Sequence, residues 1–201
     1  MKSKVISLHE AELVKNLAAA GLKYLDIVTY SSALIPPQLA SFANSIATDG
    51  QEWAVSIEND APDFRERMNH EWYMLSAHQG LFAREHPQFL IAVRDVEDDH
   101  PNTSWWARVA LEAEWDFAGA GAEARVTGCG WGHPEFVMLS IDGNVIVRGS
   151  QGQDWMDIVC LREPHRIPSL RKLGAKFAES NTITDQTRNA LIRWLKSTST
   201  E

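Results

Sequence analysis

From Trp105 onward, apolar and polar positions alternate with a period of two. Val109, Leu111, Ala113, Trp115 and Phe117 fall on one side of an extended chain, and charged residues lie between most of them. Such alternation is typical of an antiparallel strand with one solvated face. The pattern predicts a long strand over residues 105–117, a Gly/Ala turn over residues 118–122, and a returning strand over residues 125–131.

The tripeptide Asp142-Gly143-Asn144 separates two apolar runs and is a strong hairpin signal. A three-residue loop places Val137, Leu139, Ile141, Val145 and Val147 on one face, whereas a two-residue loop scatters them. We therefore expect strands over residues 135–141 and 145–149 joined by a three-residue loop. A further strand is expected over residues 156–161.

Helix signals lie toward both ends of the chain. Ser7 and Glu10 have the spacing of a capping box, and Gly21 is a stop signal. Thr184 stands where the N-cap of the last helix is expected. Predicted helices cover residues 8–20, 38–47, 63–85, 169–179 and 185–196, and predicted single strands cover residues 22–30, 52–58 and 89–96.

This order predicts an α+β fold, in which an antiparallel, meander-rich sheet carries helices from the N- and C-terminal ends of the chain. Pro164 and Pro168 flank the one candidate boundary, but the pieces on either side are too small to fold separately. We expect a single domain over residues 1–201, with residues 165–201 as a candidate helical C-terminal extension.

The composition is that of a globular protein: 44% of the 201 residues are hydrophobic and 23% are charged. No run reaches the roughly 20 apolar residues of a membrane helix, and no secretion signal is apparent. Only two cysteines occur, Cys129 and Cys160, which is too few for a disulfide framework. We therefore expect a cytoplasmic protein that has no membrane contact.

The charge is unevenly placed along the chain. Residues 1–161 carry 11 Lys and Arg against 23 Asp and Glu, whereas residues 162–201 carry 8 against 4. An acidic body repels phosphate, so we expect no direct nucleic-acid binding. The basic end is open to three interpretations: a solvated face of helices, a partner for the acidic body, or a contact to phosphate.

The densest acidic run contains Asp95, Glu97, Asp98 and Asp99, and Trp105 and Trp106 follow closely. It lacks the Gly and terminal Glu of a calcium loop. The two rings point to opposite faces of a strand, so we expect one in the core and one at the surface. An exposed aromatic ring beside carboxylates is typical of a binding hot spot. These six residues are the candidate partner-binding site, and a solvated turn is the alternative.

A glycine-rich segment over residues 128–134 is the second candidate. Glycine-rich loops hold phosphate where they lead into a helix, but here Pro134 and another predicted strand follow. The segment is therefore either a tight connection or a ligand pocket formed by Gly130, Trp131 and His133. Two thiol–imidazole pairs, Cys129 with His133 and Cys160 with His165, lack a feature that would activate the thiol. We expect both thiols to be free and unreactive.

Metal chemistry has one weak candidate. Glu66 and His70 share a helix face at a spacing of four, but no third ligand accompanies them. We expect no metal and no cofactor. No hydrolase, kinase or deaminase motif occurs, so we expect binding rather than catalysis.

The sequence favours a cytoplasmic protein-binding module, most concretely an immunity or inhibitor protein that occludes a basic partner enzyme such as a toxin or a nuclease. One alternative is a small-molecule-binding enzyme or sensor that uses residues 128–133. A second alternative is a phosphate-mimicking inhibitor of a nucleic-acid-binding protein. The oligomeric state is left open.

Overall fold

The computed structural model describes residues 8–28, 32–46, 52–94, 104–128 and 134–197. Along these ranges the chain forms five α-helices and seven strands. The helices are α1 (Leu8–Ala19), α2 (Pro37–Ala40), α3 (Phe64–Gln79), α4 (Pro168–Glu179) and α5 (Asp185–Ser197). The strands are β1 (Leu22–Val28), β2 (Glu52–Glu58), β3 (Gln88–Arg94), β4 (Ser104–Leu111), β5 (Phe136–Leu139), β6 (Val145–Gln151) and β7 (Trp155–Arg162).

All seven strands belong to one antiparallel sheet with the order β1-β4-β3-β5-β6-β7-β2. Helices from both ends of the chain pack on it, so the predicted α+β class is confirmed. Strands β5, β6 and β7 form a meander, whereas β4, which was expected to belong to it, pairs with β1 and β3. The two strands that enter from the N-terminal part, β1 and β2, take the two edges. The extent of the domain over residues 1–201 stays a prediction.

The sheet buries side chains on both faces. On the first face α1 and α3 cover a core that includes Leu17, Trp72 and Phe89. On the second face α2, α4 and α5 cover another core, which includes Leu39 and Trp194. Strand β5 shows the consequence most clearly, because all four of its residues are buried. A strand that is covered on both faces has a continuous apolar sequence rather than an alternating one.

Trp72 is the centre of the first core. It is fully buried on α3, and its indole N–H donates to Met138 Sδ at 3.2 Å, which ties the helix to β5. Its ring centroid lies 4.0 Å from that of Phe117 in an edge-to-face contact. The other rings around it are those of Tyr73, Phe82, Phe89 and Trp115.

We predict that Trp72→Ala lowers the free energy of unfolding by about 3–5 kcal/mol, because it opens a large cavity in this core. Urea titration followed by circular dichroism measures the loss. Trp155→Ala is the matched control: that ring is 45% exposed, and we expect a change within about 0.5 kcal/mol. Equal losses in the two variants would contradict the central place of Trp72.

The long strand predicted over residues 105–117 is wrong beyond Leu111. The chain bends there because the backbone N–H groups of Glu112 and Asp116 donate to the carbonyls of Gly21 and Ala20, at the end of α1. Gly21 has φ +74°, and a Cβ at that position would lie 2.2 Å from the carbonyl oxygen of Glu114. A π-helical turn follows over Phe117–Gly121, where a plain turn was expected.

Two polar side chains hold this turn. The carboxylate of Asp116 accepts the backbone N–H groups of Gly119 and Ala120 at 2.8 and 2.9 Å. Asn69 of α3 donates to Asp116 at 2.8 Å and accepts the N–H groups of Phe117 and Ala118, each at 3.0 Å. These bonds satisfy the backbone groups that a strand would have paired.

The prediction of a returning strand over residues 125–131 is also wrong for residues 125–128, the part that the structure describes. Residues 125–128 contain one isolated bridge, between Gly128 and Pro134, and no strand. Arg125 adopts φ +61°, in the left-handed region, which interrupts extended backbone.

The hairpin of β5 and β6 is confirmed, and no helix occurs over residues 137–147. Its loop has four residues rather than the predicted three, because Ser140 N–H donates to the Val145 carbonyl at 2.8 Å and Ile141 lies in the loop. The register pairs Leu139 with Ile146, so valines 137 and 147 face opposite cores. The expected single apolar face is therefore wrong, since both faces of the hairpin are apolar.

Arg148 lies on β6 but is only 8% exposed. Its guanidinium donates to the carbonyls of Phe136 and Gly149, to the carbonyl of Ser41, and to the Glu135 carboxylate at 2.7 Å. A buried charge is tolerated where it is paired and hydrogen-bonded in this way. Arg148 thereby fastens the segment after α2 to the second face of the sheet.

Several basic residues near the C-terminus have structural partners. Arg188 donates to the carbonyls of Ala178 and Ser180, where α4 ends, and Arg171 donates to those of His165 and Leu195. Such bonds satisfy carbonyls left unpaired at helix ends. The ion pairs Arg166–Glu163 and Arg188–Asp185 join residues three apart. Thr184 Oγ1 accepts the Thr187 N–H at 3.2 Å, as expected of an N-cap.

The Asp116 network generates a pH-dependent prediction. Burial alone raises the pKa of Asp116, but the hydrogen bonds from Asn69, Ala120 and Gly119, with the nearby Arg65 charge, hold the pKa below its usual range. The carboxylate therefore stabilises the fold above the pKa of an unfolded Asp, about 3.9, and this contribution is lost as the pH falls through the lower folded-state pKa.

We expect Asp116→Ala to lower the free energy of unfolding at pH 7, with a deficit that shrinks below about pH 4. Urea titrations of both proteins at pH 7 and at acidic pH measure it. The pKa of Asp142 is also lowered, but that residue is intact in both proteins and its contribution cancels. A deficit that is independent of pH would contradict the role of the ionised carboxylate.

Candidate protein-binding site

The acidic run proposed from the sequence, Asp95, Glu97, Asp98 and Asp99, lies outside the described residues. Its flanking residues Arg94 and Ser104 are cross-strand partners at one end of the β3–β4 pair. The described part of this candidate site therefore consists of Trp105 and Trp106.

Trp105 and Trp106 face opposite sides of the sheet, as expected of neighbours on a strand. Trp106 is 4% exposed in the second core, and its indole N–H donates to the Ile35 carbonyl at 2.7 Å. Trp105 is half-buried and packs against the first core. Trp105 is thus the more accessible ring of the pair, whereas Trp106 is a core residue.

The second candidate pocket, formed by Gly130, Trp131 and His133, lies outside the described residues, and so does Cys129. Cys160 is a free, buried thiol on β7. Burial raises its pKa to about 12, although the nearby Arg162 charge acts in the opposite direction. A thiol in this state is protonated at neutral pH and shielded from reagents.

We predict that Cys160 does not react in the native protein. In a Cys129→Ser variant it is the single thiol, and a disulfide reagent at pH 8 should label it only after denaturant is added. Rapid labelling of the native variant would contradict the burial and raised pKa of this thiol.

The described residues were expected to hold no metal and to cross no membrane. Within the described ranges, no three His, Cys, Asp or Glu side chains come together as a metal site. Glu66 and His70 are both exposed on α3. None of the described helices combines the length and apolar character needed to cross a bilayer.

A cleft of about 700 Å³ lies beside the hairpin turn of β5 and β6, and its described lining includes His165 and Trp194. Asp142, the carboxylate in this lining, accepts hydrogen bonds from Ser140 and Asn144 of its own turn. The carboxylate is therefore occupied within the protein, and we assign no ligand to the cleft.

The exposed surface that stands out is the edge of the sheet at β2. In the described part of the chain, β2 pairs with β7 on one side and with no strand on the other. Trp53 on β2 is 46% exposed and Trp155 on β7 is 45% exposed, the highest values among the large hydrophobic residues. Exposed tryptophans are enriched among interface anchors.

Trp155 lies in an acidic surrounding. It is the cross-strand partner of Glu58, and Asp157 is the partner of Ser56, whose hydroxyl donates to it at 2.5 Å. Asp60 and Asp154 extend the two segments at this end of the sheet and are exposed. Residues 52–60 and 151–157 contain no Lys or Arg. We call these two segments the acidic edge.

The turns of the acidic edge are joined to each other. The N–H of Asn59 donates to the Asp154 carbonyl at 2.9 Å, and its side-chain amide donates to the carbonyls of Gly152 and Gln153. The backbone beside Trp155 is therefore held by hydrogen bonds from Asn59, which lowers the backbone entropy lost when a partner contacts this turn.

The alternating strand directions place the residues that flank the acidic run at the same end of the sheet as the turns of the acidic edge. From β3 through β5, β6 and β7 to β2, each strand is antiparallel to the last, so β2 and β3 run the same way. Glu58 and Arg94 therefore both end strands at this end. Four strand spacings separate them, which is about 20 Å.

The sequence did not single out Trp53 or Trp155. A local signal existed for Trp155, because it alternates with the apolar residues of β7 and adjoins Asp154 and Asp157. The edge position of β2 had no such local signal, because its partner strand β7 lies about 100 residues further along the chain. Trp53, for example, is opposite Cys160.

Comparison of the chain with protein-family models, with curated proteins and with solved structures finds no match.

Proposed function

We propose that this protein is an acidic protein-binding module that inhibits a basic partner enzyme by occluding its cationic surface, as an immunity protein does to a toxin. The observation that carries the proposal is Trp155: a large exposed ring beside a hydrogen-bonded turn, among carboxylates in segments without Lys or Arg. We also propose a cytoplasmic location, the reducing compartment that suits a chain with only two cysteines.

The two components of this surface have different tasks. Carboxylates at the rim of an interface attract a cationic partner and raise its association rate. A Trp ring desolvated at the centre slows dissociation, and a cationic side chain over its face adds a cation–π attraction. The ring supplies affinity and the charges supply partner choice.

The proposed interface also includes the acidic run before Trp105, because of where its flanking residues lie in the sheet. Its flanks stand at the same end of the sheet as the acidic edge, and an interface of standard size spans such a distance. Asp95, Glu97, Asp98 and Asp99 stay predicted contacts, with Trp105 as the accessible ring of its pair.

The first experiment identifies the partner. The immobilised protein captures bound proteins from extracts of its own cell, and mass spectrometry identifies them. We expect one stoichiometric partner with an excess of Lys and Arg. An acidic partner, a retained small molecule, or no retained protein would overturn the proposal.

Kinetics with the purified partner then test the surface. We predict that Trp155→Ala speeds dissociation, with a loss of about 2 kcal/mol or more. Ile141→Ala is the matched control, because Ile141 is 43% exposed in the hairpin turn at the opposite end of the sheet. Equal effects of the two truncations would remove Trp155 from the interface.

Charge variants separate the two acidic regions. We expect Asp60→Asn with Asp154→Asn to slow association and flatten its salt dependence, because rim charges steer encounter. Asp98→Asn with Asp99→Asn tests the acidic run in the same assay. Glu112→Gln with Glu114→Gln, exposed residues after β4, is the control pair. If the variant of one acidic region associates as fast as the control variant, that region is not part of the interface.

A further inference from the structure

The two edges of the sheet differ in how they are protected. Edge strands are usually blunted by bulges, prolines or covering elements, because their free backbone groups recruit other strands. β1 has a register shift between Tyr24 and Asp26, which leaves Leu25 unpaired, and α1 packs beside it. β2 keeps a regular register with β7 over all seven of its residues, with no proline.

The free backbone groups of β2 can be assigned from the ladder. Antiparallel pairs alternate between residues that exchange hydrogen bonds and residues that do not. The Asn59 N–H bonds to Asp154, so the hydrogen-bonded pairs are those of Ile57, Val55 and Trp53 with their β7 partners. The backbone groups of Ala54, Ser56 and Glu58 therefore point outward.

One of these outward groups is already used, because the Glu58 carbonyl accepts the Ala61 N–H at 3.2 Å. Within the described residues, no backbone bond is recorded for the outward groups of Ala54 and Ser56 or for the Glu58 N–H. Together they form a row of alternating donors and acceptors along the edge.

The side chains beside this row differ between the two faces. On the second face, Ser56 and Glu58 stand beside Asp157 and Trp155, and all four are at least partly exposed. On the first face, Trp53 is exposed and Val55 is half-buried against the core. A strand added here would meet carboxylates and an indole on one side and apolar groups on the other.

We propose that β2 receives an extended segment of a partner protein as an eighth, antiparallel strand, in which Lys or Arg alternates with apolar residues. The cationic side chains face Glu58, Asp157 and Trp155, and the apolar ones face Trp53 and Val55. Main-chain bonds supply affinity and the alternating side chains supply specificity, as in other strand-addition complexes. This inference rests on the proposed function and names the form of its ligand.

A basic segment fits better than a second copy of the chain. Pairing of two β2 edges would bring one set of carboxylates against another, and like charges opposite each other destabilise a sheet. An added antiparallel strand also continues the pattern of the existing seven strands.

The test uses the whole protein and a capped synthetic peptide of alternating Lys and Val, about eight residues long to match a strand. Fluorescence anisotropy measures its affinity and that of a peptide of the same composition in scrambled order. We expect the alternating peptide to bind at least about tenfold more tightly, because only its pattern matches both faces of the edge. Equal affinities would overturn the proposal.

Ser56→Pro removes one outward N–H and spares the ladder with β7, since proline is tolerated at an edge where its N–H would face solvent. We expect Ser56→Pro to weaken peptide binding about tenfold or more. The variant loses one main-chain hydrogen bond to the added strand, and the proline ring blocks the edge sterically. Ser56→Ala is the matched control, because it removes the hydroxyl bond to Asp157 but keeps the N–H, and it should retain binding. Circular dichroism and urea titration verify that both variants fold.

Methylation of the peptide backbone tests the same bonds without altering the protein. In an antiparallel addition, the Lys residues lie opposite Ala54, Ser56 and Glu58, so their N–H groups point at β2. N-methylation of the Lys residues should abolish binding, whereas N-methylation of the Val residues should spare it. Equal effects of the two methylation patterns would overturn strand addition, whatever the behaviour of the Pro variant.

Two outcomes separate this inference from the proposed function. If Trp155→Ala weakens binding of the natural partner and Ser56→Pro does not, the proposed binding module stands and strand addition fails. If Trp155→Ala has no effect on the natural partner, the proposed function fails first. A dimer of the chain, seen by ultracentrifugation and lost in Ser56→Pro, would assign the edge to a second copy and overturn the peptide ligand.

Discussion

Burial of both faces of one antiparallel sheet is the constraint on which the remaining structure depends. The central strands carry apolar side chains on both sides, so neither face can be left to water. Helices α1 and α3 cover one face, and helices α2, α4 and α5 cover the other. Trp72 and Trp106 mark the two cores that result.

The same constraint explains the treatment of polar groups within the sheet. Arg148 occupies a strand position that would be solvated in a one-sided sheet, and here it is surrounded by carbonyls and Glu135. Among the described residues, polar side chains and exposed rings share the sheet surface at β2 and the beginning of β7, beyond the covering helices. The candidate binding surface is thus a part of the sheet that the two cores leave open.

Local signals in the sequence predicted much of the fold. The Asp142-Gly143-Asn144 turn, the stop at Gly21 and the cap at Thr184 each depend on neighbouring residues and are found in place. The errors arise from distant partners. Asn69 is 47 residues from Asp116, and no local pattern shows that it replaces a strand by a π-helical turn. The loop of the hairpin was misjudged because one apolar face was assumed where two exist.

The site predicted from the sequence stays a prediction, and the acidic edge is a second candidate of similar composition. The expectation of an exposed Trp among carboxylates applies to Trp155, whereas Trp106 is in the core and the acidic run stays a prediction. Composition alone reveals how many acidic and aromatic residues a chain has. Which of them meet at a sheet edge depends on pairings across about 100 residues, such as Trp53 with Cys160.

The pairing of β2 with β7 also bears on how the chain assembles during synthesis. A ribosome releases β2 well before β7, and loop closure over such a separation slows folding. Until β7 emerges, β2 is an acidic strand with two open edges rather than one. The carboxylates of β2 therefore act as gatekeepers at this stage, since charge on a waiting strand discourages aggregation with other nascent chains.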